Sequence, residues 1–138
     1  MHYAVWGGHQ SVTEFLIQEC QVNVNIANKE GLLPIQLASA HNHVHLIPLL
    51  AGADVESMSG CHSFHRGCMY GSLETIRLLV DQKFVDPLTR TATGSTGLHL
   101  AVKGNHMNLV KYLMEDLKFD VNAKDQFSLT PLHLACIK

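Results

Sequence analysis

The chain repeats itself at a nearly fixed interval, and that constrains its fold more than any other feature. The segment Leu129–Cys136 (LTPLHLAC) superposes on Ser95–Val102 (STGLHLAV) at a spacing of 34 residues. Phe64–Cys68 (FHRGC) lies another 34 residues upstream, Ile35–Ser39 (IQLAS) 29 before that, and Met1–Val5 (MHYAV) 34 earlier again. A recurrence of this length marks one supersecondary unit copied in tandem. No single unit holds enough apolar surface to be stable alone, so the units must stack, and stability becomes a sum over neighbours.

A second signal runs in phase with the first. A Gly or Asn, usually followed by His, trails each copy: Gly8–His9, Asn42–His43, Gly71–Ser72 and Asn105–His106. Apolar residues at helical spacing come next: Val12, Leu16 and Ile17; Leu46, Ile47 and Leu50; Ile76, Leu79 and Val80; Leu109, Val110, Leu113 and Met114. Each stripe runs into an extended segment such as Val22–Asn25, Gly52–Val55, Val85–Pro87 or Asp120–Ala123. The unit therefore reads as helix, tight turn, helix and extended loop. Thr130 before Pro131 starts a helix, since a hydroxyl can accept an orphan N–H and proline loses no bond in the first turn. Gly or Asn at the tight turn tolerates the left-handed backbone that ends the first helix. Leu98, Leu132 and their counterparts are expected to form the shared interior, with Ala135 and Cys136 allowing close helix approach.

The T-P-L-H-x-A core, the G-H turn and the A-D-V-N type loop resemble the ankyrin repeat, over all 138 residues. Asp120 through Ala135 matches almost residue for residue. The resemblance implies an all-α ankyrin-repeat solenoid, with antiparallel helix pairs joined by β-hairpin-like loops and a concave face that binds partners. It divides the chain into a partial first repeat (1–27), a short second (28–57), a third (58–91), a fourth (92–124) and a partial fifth (125–138). It also implies that His2, His65, His99 and His133 hydrogen-bond the backbone of an adjoining loop. Asparagine hydroxylation occurs in this family, and Asn122 is the best-matching position.

The second unit departs from the pattern. It is five residues short, Pro48 sits early in its second helix, Gln36 replaces the histidine, and Leu33 and His62 replace the capping threonine. The junction of the second and third units is accordingly expected to be the weakest. Both ends fall within a unit, which suggests a segment of a longer array, monomeric when isolated.

Composition and motifs exclude most chemistry. Formal charge is −2 and no basic face is available to neutralise phosphates, so nucleic acid is not an expected partner. No apolar run approaches the ~20 residues that cross a bilayer, and no secretory leader is visible. Scattered Cys20, Cys61, Cys68 and Cys136 read as reduced thiols of an intracellular, cytoplasmic protein. Cys61, His62, His65 and Cys68 have ligand-like spacing, yet His65 and Cys68 occupy core positions, so no metal is expected. His41, His43 and His45 alternate in a turn and read as solvated. The stretch Thr93–Gly97 lacks the Lys–Ser/Thr of a phosphate loop. No catalytic motif or cofactor signature occurs, and the chain is read as non-enzymatic.

A protein or peptide, either a separate molecule or another part of the same parent chain, is the expected partner. Its binding surface would comprise the ends of the first helices (Trp6, His41, Met69, Tyr70, Lys103) and the hairpin tips (Lys29, Glu30, Leu32, Gln126, Phe127, Leu129). Trp and Tyr are enriched among binding hot spots.

Overall fold

The computed structural model describes residues 1–50 and 63–137. The helices come in pairs: α1 (His2–Trp6) with α2 (Gln10–Gln18), α4 (Ser63–Tyr70) with α5 (Leu73–Asp81), and α6 (Gly97–Lys103) with α7 (Met107–Glu115). Helix α3 (Pro34–Ala40) is followed by two 3-10 turns, Val44–Leu46 and Pro48–Leu50, and α8 (Pro131–Ile137) closes the described chain. The described residues contain no strand. The first helices stack in one row, α1 on α3, α3 on α4, α4 on α6 and α6 on α8. The fold is the all-α solenoid expected.

Small residues set the spacing of that row. Ala4, Ala38, Gly67 and Ala101 share one register position, and all four are buried. Gly97 opens α6 against α4, where an added Cβ would stand 2.7 Å from Phe64 Cε1 and 3.0 Å from Cys68 Sγ. The turns behave as anticipated, with φ of +71° at Gly8, +56° at Asn42, +75° at Gly71 and +60° at Asn105.

Within and between units the stack is sewn by side chains reaching backbone carbonyls. His99 is completely buried; Thr96 N–H and hydroxyl face its Nδ1 at 3.1 and 2.8 Å, so Nε2 carries the proton and donates to Leu129 O at 3.0 Å. His65 Nε2 donates to Thr89 O at 2.8 Å and His2 Nε2 to Leu32 O at 3.2 Å. A second set takes the carbonyls at the ends of the first helices. His43 donates to Trp6 O (2.9 Å), Ser72 Oγ to Ala40 O (3.2 Å) and His106 to Met69 O (2.9 Å).

The apolar residues form two clusters. Among the described residues Val5, Leu33, Ile35, Ala38, Leu46, Ile47, Leu50 and Leu79 make the first, and Phe64, Ile76, Leu98, Ala101, Leu109 and Leu113 belong to the second. Helix α5 supplies Leu79 to one and Ile76 to the other, so it ties the two halves together. Against the outer side of the second cluster, Arg77 lies 5.0 Å over the Tyr112 ring. Burial, with Asp81 and Asp116 adding to it and Arg77 opposing, pushes the Tyr112 phenol above its usual range.

Three expectations are corrected. Leu132 is not interior: it is 71% exposed, with no described element packed against α8 on the side away from α6. Val12 and Met114 also face outward, and Thr13 takes the buried place on α2. The second helix of the short unit is replaced by 3-10 turns. Pro48 has no N–H to give to Val44 O, so Ile47 N–H takes that carbonyl instead, at 3.2 Å. Leu46, Ile47 and Leu50 are nonetheless fully buried. The loop Gly52–Val55 and the capping position His62 lie outside the described residues.

Two outcomes test this packing. Gly97→Ala should lower stability by about 1–2 kcal/mol, since buried Phe64 cannot yield and overpacking outweighs the gain in helix propensity; a shifted urea midpoint with unchanged slope would register it. In native-state hydrogen exchange, the amides of Ile47 and Leu50 should open before those of α7, whose i to i−4 ladder is complete.

Candidate partner-binding groove

The first helices present successive turns to one concave side. Tyr3, Leu37 and Arg66 occupy equivalent positions, and Trp6, His41 and Tyr70 follow one turn later on α1, just past α3, and on α4. The hairpin tip at residues 27–32 forms the facing wall, and together they enclose a groove of ≈ 830 Å³.

The wall is held by Asn28. Its Oδ1 accepts from the N–H groups of Glu30 and Leu32, each at 2.9 Å, while its own N–H donates to Leu32 O at 2.9 Å. The tips at Thr91–Ser95 and Asp125–Leu129 close through the same backbone bond, at 2.9 and 3.0 Å. The left-handed position of each tip is Gly31, Gly94 or Ser128.

On the opposite side Trp6 sits edge-on to His41, centroids 5.9 Å apart, and the ring row continues through His43 and His45 at steps of 6.0 Å. His43 and His45 are therefore not merely solvated. They bond Trp6 O and Gly8 O, at 2.9 and 3.0 Å, and fix the backbone that carries the Trp6 ring.

Of the residues expected at the surface, Trp6, Lys29, Glu30, His41 and Tyr70 line this groove and are exposed. Leu32 lines it too, but is buried rather than displayed, because the Asn28 bonds turn it inward. Met69 does not line the groove: it is half-buried and packs against the second cluster. Lys103, Gln126 and Phe127 are exposed but do not line the groove, and Leu129 is half-buried where His99 holds its carbonyl. Asn122 is exposed, its N–H donating to Asp120 Oδ1 at 2.9 Å.

Sequence reasoning missed Tyr3 and Arg66. The signal was present: Arg66 stands where the other copies carry Tyr3, Leu37, Leu100 and Leu134, the one charge in an apolar register. In the cysteine–histidine group, Cys61 and His62 lie outside the described residues, whereas His65 and Cys68 are fully buried. Among the described residues no three His, Cys, Asp or Glu side chains are placed to hold a metal. No helix among them is long and apolar enough to cross a membrane.

A row of paired helices, clamped carbonyl by carbonyl and presenting hairpin tips to one side, defines a class of stacked repeat proteins. The sequence profile for ankyrin repeats in three copies matches residues 1–91 and 64–138, and the chain belongs to the ankyrin-repeat family. Alpha-latrocrustotoxin-Lt1a of Latrodectus tredecimguttatus is 30% identical over 127 residues, which is 90% of this chain and 9% of the toxin. The nuclear factor NF-kappa-B p105 subunit of Gallus gallus is 27% identical over 98% of this chain and 14% of its own length. The NF-kappa-B inhibitor cactus of Drosophila yakuba is 27% identical over 97% of this chain and 34% of its own length. The chain thus spans a small part of each relative. Ankyrin repeats are in general non-catalytic modules of protein–protein interaction.

Asn28→Ala should loosen the wall at a cost of about 1–2 kcal/mol, from two N–H groups left without their acceptor. A thermal melt measures the loss, and an unchanged melt would show that the tip holds itself.

Proposed function

We propose that this chain is a non-catalytic, intracellular recognition module that binds a protein or peptide in the groove formed by α1, α3, α4 and the 27–32 tip. The carrying observation is the exposure of Trp6 (59%) and Tyr70 (55%) on rigid helices around one concavity. Water-exposed rings without a packing role are costly to display, and aromatic anchors dominate protein interfaces. Their backbones are already immobilised by the neighbouring turn, so little ordering remains to be done on binding. The names of the NF-kappa-B p105 subunit and of the NF-kappa-B inhibitor cactus support a protein as the partner.

A second reading has its own support. Because the chain covers 9% and 14% of two of its relatives, the partner can be another region of a longer parent protein. Capture of a separate protein favours the first reading, and tight binding to the remainder of the parent favours the second.

Tyr70→Ala and Trp6→Ala should each weaken a bound peptide by more than about 1 kcal/mol without changing the melting temperature. Phe127→Ala, away from the groove, should change affinity less. Titration calorimetry on the three variants checks the ranking.

A further inference from the structure

Arg66 carries a charge that nothing among the described residues answers. Its Nε is shut off from solvent and, among the described residues, has no hydrogen-bond partner and the guanidinium no ion pair. The side chain is half-buried on α4, one turn before Tyr70, and lines the groove. Positions i and i+4 share a helix face, so the cation and the ring address the same occupant. Arginine is otherwise seldom left partly desolvated without a carboxylate or phosphate.

Charge selects between those anions. Among the described lining residues the charged side chains are Lys29, Glu30 and Arg66, and the first two, adjacent at the tip, sum to zero. The described side chains leave the groove one net positive charge in a chain whose formal charge is −2. A single monovalent fork matches one carboxylate. A dianionic phosphate would exceed it and would meet the Glu30 carboxylate at the rim.

We infer that the groove recognises a partner segment bearing an Asp or Glu side chain beside an apolar or aromatic residue, the carboxylate on Arg66 and its neighbour between Tyr70 and Trp6. With Nε enclosed, the terminal nitrogens of Arg66 make the paired bonds. The inference rests on the concave face being the docking face, and the test separates the two.

Peptides selected on the intact chain from a randomised display library provide the probes, and Trp6, the only tryptophan, reports groove occupancy by its fluorescence. The expected result is an enriched acidic residue next to an apolar one, and a change in Trp6 emission on binding. Arg66→Gln should then weaken the best peptide at least about tenfold, and the Glu-to-Gln form of that peptide should lose as much, with no further loss when the two changes are combined. Arg66→Lys, which keeps the charge without the fork, should recover only part of the affinity and confirm that the site still folds. Peptides that shift Trp6 emission but carry no acid, or bind Arg66→Gln equally well, overturn the carboxylate and leave the docking face standing. A phosphoserine peptide that outbinds its glutamate counterpart, or a self-associated dimer that Arg66→Gln dissociates, also overturns it. Peptides that bind without any change at Trp6 remove the docking face itself.

Discussion

Everything in this molecule depends on carbonyl groups of one repeat being satisfied by side chains of the next. A short helix of five to eight residues has more unpaired backbone groups at its ends than bonds inside it. Left alone, such helices would fray. The imidazoles of His43 and His106 and the hydroxyl of Ser72 take the carbonyls at the ends of α1, α3 and α4, while His2, His65 and His99 take those of the loops. The apolar clusters supply the driving force, but these directed bonds fix the register in which the clusters meet. A sliding stack would bury similar area and leave the carbonyls bare.

The groove follows from the same register. Equivalent positions on successive first helices must fall side by side, so residues that no neighbour covers accumulate on one concave side. Tyr3, Leu37 and Arg66 form one such line. The rings of Trp6 and Tyr70 come from the next turn, on backbones already tied down. The surface is therefore held where it carries its largest side chains, and among the described residues it presents a cation, Arg66, that nothing answers.

Much of this followed from the amino-acid order. The 34-residue interval and the turn residues Gly8, Asn42, Gly71 and Asn105 located every first helix, because the left-handed turn and the small residue of the seam are local demands. The concave placement of Trp6, His41 and Tyr70 came from the same phase. Other features turn on interactions that no periodicity encodes. Whether residues 44–50 form a helix depends on one missing N–H at Pro48. The inward Leu32 depends on the Asn28 side chain closing its own loop. Leu132 carries the motif of Leu98, and the difference between 71% and 1% exposure lies entirely in what packs on the other side. Arg66 needed only a comparison between copies at its position, since a charge in an apolar column is anomalous in the sequence itself.

The clamps run both ways: His43, Ser72 and His106 reach back to carbonyls of the preceding unit, while His2 and His99 reach forward to carbonyls of the following one. A tandem duplication of one such tile thus arrives with both halves of every joint, one for each neighbour. An array of this kind can lengthen, shorten or exchange an internal member by recombination alone, without compensating change at the seams. Its groove residues are then free to diverge tile by tile, as the lone arginine among tyrosine and leucines already does.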